Sequence, residues 1–117
     1  MIMIKGIGLD LTVISRMKSK IERQPFMDRV FTKKEQEYIN SKGSRAQTAA
    51  GIFSAKEAFL KALGKGICDI RLTDIEVNHN KNGAPYLIYP LSEKIFLSIT
   101  HMGDIAAAQV IIESEDC

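Results

Sequence analysis

The segment Ser44–Gly64, SRAQTAAGIFSAKEAFLKALG, predicts the long helix around which the rest of the chain folds. Ser44 and Gln47 have the spacing of a capping box at its start, and Gly64 suits the left-handed residue that ends a helix. At about 100° per residue its apolar side chains fall on one arc that can face a core. These side chains are Ile52, Ala55, Phe59, Ala62 and Leu63.

Shorter elements precede this helix. Met1–Val13 is rich in Ile and Leu and predicts a buried strand. Ile14–Arg23 has helical character, and Pro25 is expected to end that helix. Thr32 and Glu35 form a capping-box signature for a second short helix. The first half of the chain therefore predicts one strand followed by helices.

The second half has the two-residue period of β-strands. Residues 75–89 predict a hairpin that turns at Lys81-Asn82-Gly83, and residues 96–112 predict another. A strand, helices and then strands indicate an α+β fold, in which an antiparallel sheet packs against one long helix and shorter helices. The segment Ile105–Ile112 is apolar on both faces. Either it is a central strand covered by the long helix, or another subunit packs against it.

Length and composition favour one globular domain over residues 1–117. Of the 117 residues, 45% are hydrophobic and 26% are charged, which is close to ordinary globular usage. About two thirds of the chain's surface can be buried at this size, so no disulfide or structural metal is required. Cys68 and Cys117 make no disulfide framework. Because the sequence contains no signal-peptide core and no apolar run of about 20 residues, we expect a cytoplasmic protein without a membrane span.

The formal charge of +2 is distributed unevenly along the chain. Residues 14–34 carry seven basic side chains against two acidic ones, and such a patch attracts acidic partners. Nucleic acid is one alternative partner, but the chain has no Trp and only 7% aromatic residues, a poor supply of stacking platforms. We therefore favour an acidic protein and expect no nucleic acid. The seven basic residues are Arg16, Lys18, Lys20, Arg23, Arg29, Lys33 and Lys34.

Two acidic residues stand in unusual surroundings. Glu57 projects away from the apolar arc of the long helix, yet Phe53 and Leu60 are among its helical neighbours. An i,i+4 pair with Lys61 usually means a solvated surface interaction. Asp10 interrupts an apolar strand, where a solvent-facing or strand-end carboxylate is the simpler explanation. One carboxylate from a strand and one from a helix would also suit Mg²⁺.

Other polar positions are less informative taken alone. Gly64-Lys65-Gly66 ends the helix and would also let a ligand approach the backbone closely. His101 stands where a strand meets a turn, and His79 is expected to be solvated. Because the sequence has no His/Cys cluster, a zinc site is disfavoured.

Three blocks read together resemble the holo-acyl-carrier-protein synthases, the small trimeric class of 4′-phosphopantetheinyl transferases. The resemblance covers nearly the whole chain, and the lysine-glutamate-alanine block with its Gly-x-Gly is its most specific part. The blocks are GIGLD at Gly6–Asp10 with Arg16, FSAKEAFLKALGKG at Phe53–Gly66, and SITH at Ser98–His101 followed by AAAQV at Ala106–Val110.

The resemblance implies a set of roles for matching residues. It implies Mg²⁺ at Asp10 and Glu57, catalysis by Glu57 and Lys61, and a homotrimer with active sites between subunits. Coenzyme A would be bound by Arg45, Phe53, Lys61, Gly64, Lys65, Gly66, Pro85, Thr100 and His101. Acyl carrier protein would dock on Arg16, Arg23, Phe26 and Arg29.

The implied reaction is Mg²⁺-dependent transfer of 4′-phosphopantetheine from coenzyme A to a serine of apo acyl carrier protein. Adenosine 3′,5′-bisphosphate leaves, and the product serves fatty acid biosynthesis. The chain departs from the family at Ile52, where many relatives have arginine, and at Lys65, where a small hydroxyl residue is common. Its basic run before the long helix is also short, with only Lys42 and Arg45.

Overall fold

A computed structural model describes residues 1–64 and 69–115 of the chain. Its elements follow the α+β order expected from the sequence, and the strand pairing is antiparallel throughout these residues. The elements are β1 (Ile2–Val13), α1 (Ile14–Lys20), α2 (Gln24–Val30), α3 (Lys33–Ser41), α4 (Arg45–Leu63), a 3-10 turn (Leu72–Asp74), β2 (Glu76–His79), β3 (Pro85–Ile88), β4 (Lys94–Met102) and β5 (Ile105–Glu115).

The strands form two sheets where the sequence predicted one. The larger sheet has the order β1-β5-β4, and β2 pairs with β3 in a separate hairpin. Helix α4 packs across one face of the larger sheet and buries the inward side chains of the central strand β5. The expected core arc of α4 is confirmed at four positions, and Leu63 is half-buried. The four are Ile52, Ala55, Phe59 and Ala62.

Two glycines let β1 lie directly against the backbone of α4. A Cβ at Gly6 would stand 1.8 Å from the carbonyl oxygen of Ala62, and a Cβ at Gly8 would stand 1.7 Å from that of Ala58. Farther along the same face of the strand, the hydroxyls of Thr12 and Ser54 are 2.5 Å apart. The strand β1 therefore runs antiparallel to α4, and the two backbones are in direct contact at Gly6 and Gly8.

The opposite face of the larger sheet is uncovered in the single chain. Ile7, Leu9 and Leu11 of β1 are 61%, 59% and 65% exposed, and Phe96 of β4 is 49% exposed. The pairing aligns Ile7 with Ile111 of β5, and Ile111 with Phe96. The outer sheet face, as we call it, is thus a continuous apolar surface across three strands.

Two predictions about helix ends were wrong. Helix α1 ends at Lys20, and Pro25 lies in the first turn of α2 instead of only ending the helix before it. Proline is tolerated there because the first turn needs no backbone N–H donor. Ser44 is the N-cap residue of α4 but makes no side-chain capping bond. The capping box of Thr32 and Glu35 is confirmed at the start of α3.

Candidate active site

Asp10 and Lys61 meet where β1 crosses α4. Asp10 follows Gly8 on the helix-facing side of the strand, so its carboxylate points toward α4. The Lys61 ammonium lies 3.0 Å from Asp10 Oδ1 and donates a second hydrogen bond of 3.0 Å to the Leu9 carbonyl. The Asp10 side chain is 17% exposed and the Lys61 side chain is 57% exposed, so the pair lies at the edge of the core, open to solvent.

Glu57 lies one helical turn before Lys61 and is half-buried. Its pKa is raised from its ordinary value, first by burial and then by the negative charge of Asp10, while Lys61 acts in the opposite direction. The helical projection predicted that Glu57 faces outward, but its side chain is half-buried and feels the charge of Asp10. Two carboxylates that are far apart in sequence come close enough to repel each other.

This carboxylate pair fits a divalent cation bound together with a phosphate ligand. Mg²⁺ takes one or two carboxylates and completes its octahedron with waters and phosphate oxygens. Within residues 1–64 and 69–115, no group of three His, Cys, Asp or Glu side chains could hold a metal by itself. A cation at Asp10 and Glu57 would remove their repulsion and leave coordination positions for a ligand.

A second feature is a groove at the other end of α4, with a cavity volume of about 350 Å³. It brings together three residues that the sequence assigned to coenzyme A: Pro85, Thr100 and His101. Ile52, the departure from the family pattern, is buried in the core and also lines this groove. This position of the groove therefore carries an apolar side chain.

Gln47 and two aromatic residues shape this groove, and sequence reasoning missed all three roles. Gln47 was expected to cap α4, but its side-chain nitrogen lies 3.1 Å from His101 Nε2. The Tyr38 ring stacks on His79 with centroids 3.9 Å apart, and both line the groove. His79 is thus half-buried and not simply solvated, and burial lowers its pKa, with a smaller contribution from Lys42. No local pattern predicts contacts between such distant segments.

The structure does not bring all expected coenzyme A residues into one place. Asp10, Glu57 and Lys61 do not line the groove of His101. Arg45 donates a hydrogen bond of 3.0 Å to Asn40 Oδ1 and lines a separate cleft between α1 and α4. Phe53 is half-buried against the core, and Gly64 ends α4 with φ of 71°. Lys65 and Gly66 lie outside the described residues.

The residues expected to dock the carrier protein lie on and between α1 and α2. Arg16, Arg23 and Arg29 are exposed, whereas Phe26 is only 8% exposed and packs edge-on against Phe31. The Phe26 ring therefore packs in the core beneath the arginine side chains and is not exposed on this surface. The patch as a whole presents arginine side chains on two short helices.

Asp104 fixes the start of α1. Its carboxylate accepts hydrogen bonds of 2.9 Å from the Ser15 backbone N–H and 2.6 Å from the Ser15 hydroxyl. The Asp104 carbonyl accepts a further bond of 2.8 Å from the Ile14 N–H. The turn between β4 and β5 thus sets the position of the helix that carries Arg16.

A family model described as 4′-phosphopantetheinyl transferase superfamily matches residues 6–110, which include both features of the site. The chain belongs to this superfamily. The holo-[acyl-carrier-protein] synthase of Enterococcus faecalis is 45% identical over 117 aligned residues, covering 97% of this chain and 100% of the relative. The expectation of an enzyme similar to the holo-acyl-carrier-protein synthases is confirmed.

Solved structures of transferases agree with this fold. The holo-(acyl-carrier-protein) synthase of Bacillus anthracis, in complex with CoA (3′,5′-ADP), superposes with a TM-score of 0.89 at 40% identity and covers 97% of this chain and 99% of its own. That of Helicobacter pylori, in complex with coenzyme A, gives 0.81 at 27% identity and covers 91% and 98%. The α+β transferase fold expected from the sequence is confirmed. In the part of the chain that the structure describes, no helix has the length and apolarity to cross a membrane.

Proposed function

We propose that this chain, as a single domain, transfers 4′-phosphopantetheine from coenzyme A to a serine hydroxyl of an apo acyl carrier protein. Adenosine 3′,5′-bisphosphate is the second product. The observation that carries the proposal is the convergence of Asp10, Glu57 and Lys61 where β1 crosses α4. Transferases that resemble the chain over almost its full length support it, including one solved with coenzyme A.

Asp10 and Glu57 would hold Mg²⁺ through one carboxylate each. When bound, the ion neutralises charge on the diphosphate of coenzyme A and on the leaving group. Lys61 supplies a further positive charge, and its contacts with Asp10 Oδ1 and the Leu9 carbonyl hold the ammonium over the strand. Phosphoryl transfer depends mainly on such positioning and charge stabilisation. Gly64, Lys65 and Gly66 are proposed to bind the phosphates next to Lys61.

Glu57 is the proposed general base. In the transfer step the serine oxygen forms a bond to the pantetheine-side phosphorus, and the bond from that phosphorus to the leaving phosphate oxygen breaks. The serine proton goes to the Glu57 carboxylate, directly or through a water. Its position beside Asp10 and Lys61, where the diphosphate of coenzyme A would bind, makes Glu57 the candidate base.

The groove lined by Pro85, Thr100 and His101 is proposed to bind the nucleotide end of coenzyme A. Arg45 and Phe53 are assigned to the same ligand from the family resemblance. Because this groove is not lined by Asp10, Glu57 or Lys61, we propose that one ligand uses the groove of one subunit and the carboxylates of another. The uncovered apolar outer sheet face supports assembly of the chain into a homotrimer.

Arg16, Arg23 and Arg29, with Phe26 beneath them, are proposed to dock the acidic carrier protein. We place the reaction in the cytoplasm and in fatty acid biosynthesis. Two cysteines without a disulfide framework are in keeping with a reducing compartment. Neither nucleic acid nor a membrane is a partner in this proposal.

The test is a mass measurement. The purified chain is incubated with coenzyme A, Mg²⁺ and several apo acyl carrier proteins, and each carrier is then weighed by mass spectrometry. We expect one phosphopantetheine group per carrier, and none on a carrier whose acceptor serine is changed to alanine. Unmodified carriers throughout the series would contradict the proposed function.

A further inference from the structure

A lysine next to the proposed base is completely buried. Lys56 of α4 precedes Glu57, and its side chain has no exposed surface. Its ammonium donates hydrogen bonds of 2.7 Å to the Val30 carbonyl, 2.6 Å to Glu35 Oε1 and 2.9 Å to the Leu72 carbonyl. All three of its donors are thus used, and each reaches a different segment of the chain.

Glu35 extends this network to the start of its own helix and to β2. Its Oε1 also accepts a hydrogen bond of 2.8 Å from the Thr32 N–H, and its Oε2 accepts one of 2.6 Å from the Val77 N–H. Lys56 and Glu35 together therefore join α4 to the end of α2, the start of α3, the 3-10 turn and β2. We call this set of hydrogen bonds the Lys56 network.

Stability alone is a weak reason for such a pair. Burial opposes the charge on both side chains, raising the pKa of Glu35 and lowering that of Lys56, while each charge favours the other. Apolar residues of similar size often replace a buried ion pair without loss of stability. What apolar residues cannot replace is the direction of the hydrogen bonds with two backbone carbonyls and two backbone N–H groups.

The hydrogen bond from Lys56 to Val30 connects the proposed carrier-docking surface with the proposed active site. Val30 is the last residue of α2 and follows Arg29, which belongs to the proposed docking surface. Lys56 holds the Val30 carbonyl from the residue immediately before Glu57. A single side chain therefore sets the distance between the end of the docking helix and the turn of α4 that carries the base.

We propose that Lys56, held by Glu35, is a positioning residue that fixes the carrier-docking helix α2 relative to Glu57. The inference rests on the proposed function. Its consequence is specific to one substrate: the carrier serine reaches the site through α2, whereas coenzyme A binds to residues outside the Lys56 network. Disturbing the network misplaces the serine and leaves the coenzyme A groove intact.

The test uses the double variant Lys56→Met with Glu35→Met, and the shape-preserving variant Glu35→Gln as a change expected to fold. The control is Val77→Ala, which removes buried apolar volume beside the network and leaves its hydrogen bonds in place. Melting temperature and steady-state constants for both substrates are measured for each protein. Wild-type turnover is the reference, so a wild type inactive on every carrier counts against the proposed function and not against the positioning role.

We expect kcat/KM for the carrier to fall about 10- to 100-fold in the double variant, since a displacement of about 1 Å costs this much. Glu35→Gln should give a smaller fall in the same direction, while KM for coenzyme A keeps its wild-type value in both variants. Val77→Ala should lower the melting temperature and leave the carrier constants unchanged. Wild-type carrier constants in a folded network variant, or equal losses for both substrates, would overturn the proposal.

Discussion

The side-chain amide of Gln47 lies 3.1 Å from Nε2 of His101 and joins the first turn of α4 to the end of β4. The contact joins two polar side chains that come from segments 54 residues apart. Gln47 thus orients the ring of a residue proposed to bind the nucleotide end of coenzyme A.

Gln47→Leu should weaken coenzyme A binding without slowing the transfer step. Loss of one hydrogen bond of this kind costs about 1 kcal/mol, which corresponds to roughly a fivefold rise in KM for coenzyme A at unchanged kcat. Gln47→Glu is the informative companion, because it keeps the length of the side chain and replaces the amide donor by a carboxylate, which can only accept a hydrogen bond. Unchanged constants in both variants would show that the contact has no part in ligand binding.

Glu57→Gln should separate stability from activity. The pKa of Glu57 is raised in the folded chain, first by burial and then by Asp10, so ionising this carboxyl costs folding stability once the pH exceeds that raised pKa. In buffer without Mg²⁺, we expect the variant to melt above the wild type at neutral pH, with the difference shrinking as the pH falls toward 4.5, the ordinary value for glutamate. Transfer to the carrier should be abolished at every pH.

The control for this prediction is Glu37→Gln, which changes an exposed glutamate on α3. It should alter neither the melting temperature nor turnover to a comparable degree. A Glu57→Gln protein that melts below the wild type at neutral pH, or one that still transfers phosphopantetheine at the wild-type rate, would contradict this account of the carboxylate pair.

Local sequence patterns predicted most of the fold because they arise from local physics. The period of α4, the turn at Lys81-Asn82-Gly83 and the capping box of Thr32 and Glu35 each depend on neighbouring residues. The end of α1 was misplaced because a proline stops one helix and starts the next with equal ease. The sequence predicted one sheet and the structure has two, because the pairing of strands that are distant in sequence leaves no local pattern.

The site could be predicted only in part from the sequence, because its contacts also join segments that are distant in sequence. Asp10 and Glu57 attracted notice because each charge stands among apolar residues. Gln47 fitted a capping box so well that its contact with His101 was hidden. Lys56 received no role of its own from the sequence, since its acceptors come from α2, α3 and the 3-10 turn. Buried networks of this kind become visible only when distant segments are packed together.

Gly8→Ala should disrupt the crossing of β1 and α4. The added Cβ would lie 1.7 Å from the Ala58 carbonyl oxygen, a backbone atom that cannot move alone, so the strand must shift. Overpacking of this kind costs about 1–3 kcal/mol or more, and the shift would also separate Asp10 from Lys61. Gly43→Ala is the matched control, because no atom lies within 4 Å of its added Cβ. Similar unfolding free energies for the two variants would refute the close approach.

Arg16→Glu should weaken carrier binding and reduce its dependence on salt. Arg16 is exposed on α1, and an attraction between charged surfaces is screened over about 8 Å at physiological ionic strength. We expect KM for the carrier to rise most at low salt, with KM for coenzyme A unchanged. Lys94→Glu makes the same charge change on β4, outside the basic segment, and should have a much smaller effect. If the two charge reversals had equal effects on KM for the carrier, the net charge of the protein would explain them and a docking role for Arg16 would be contradicted.

Leu11→Glu should prevent assembly of the chain and thereby activity. Leu11 is 65% exposed on the outer sheet face, aligned with Ala107 of β5 and, through it, with Thr100. A carboxylate buried in an apolar contact is costly, so we expect the variant to sediment as a monomer and the wild type as the proposed trimer. If active sites lie between copies, the folded monomer also fails to modify the carrier. Lys34→Glu on α3 serves as the control and should remain trimeric. A wild type that is monomeric and fully active would contradict the proposal that active sites are shared between subunits.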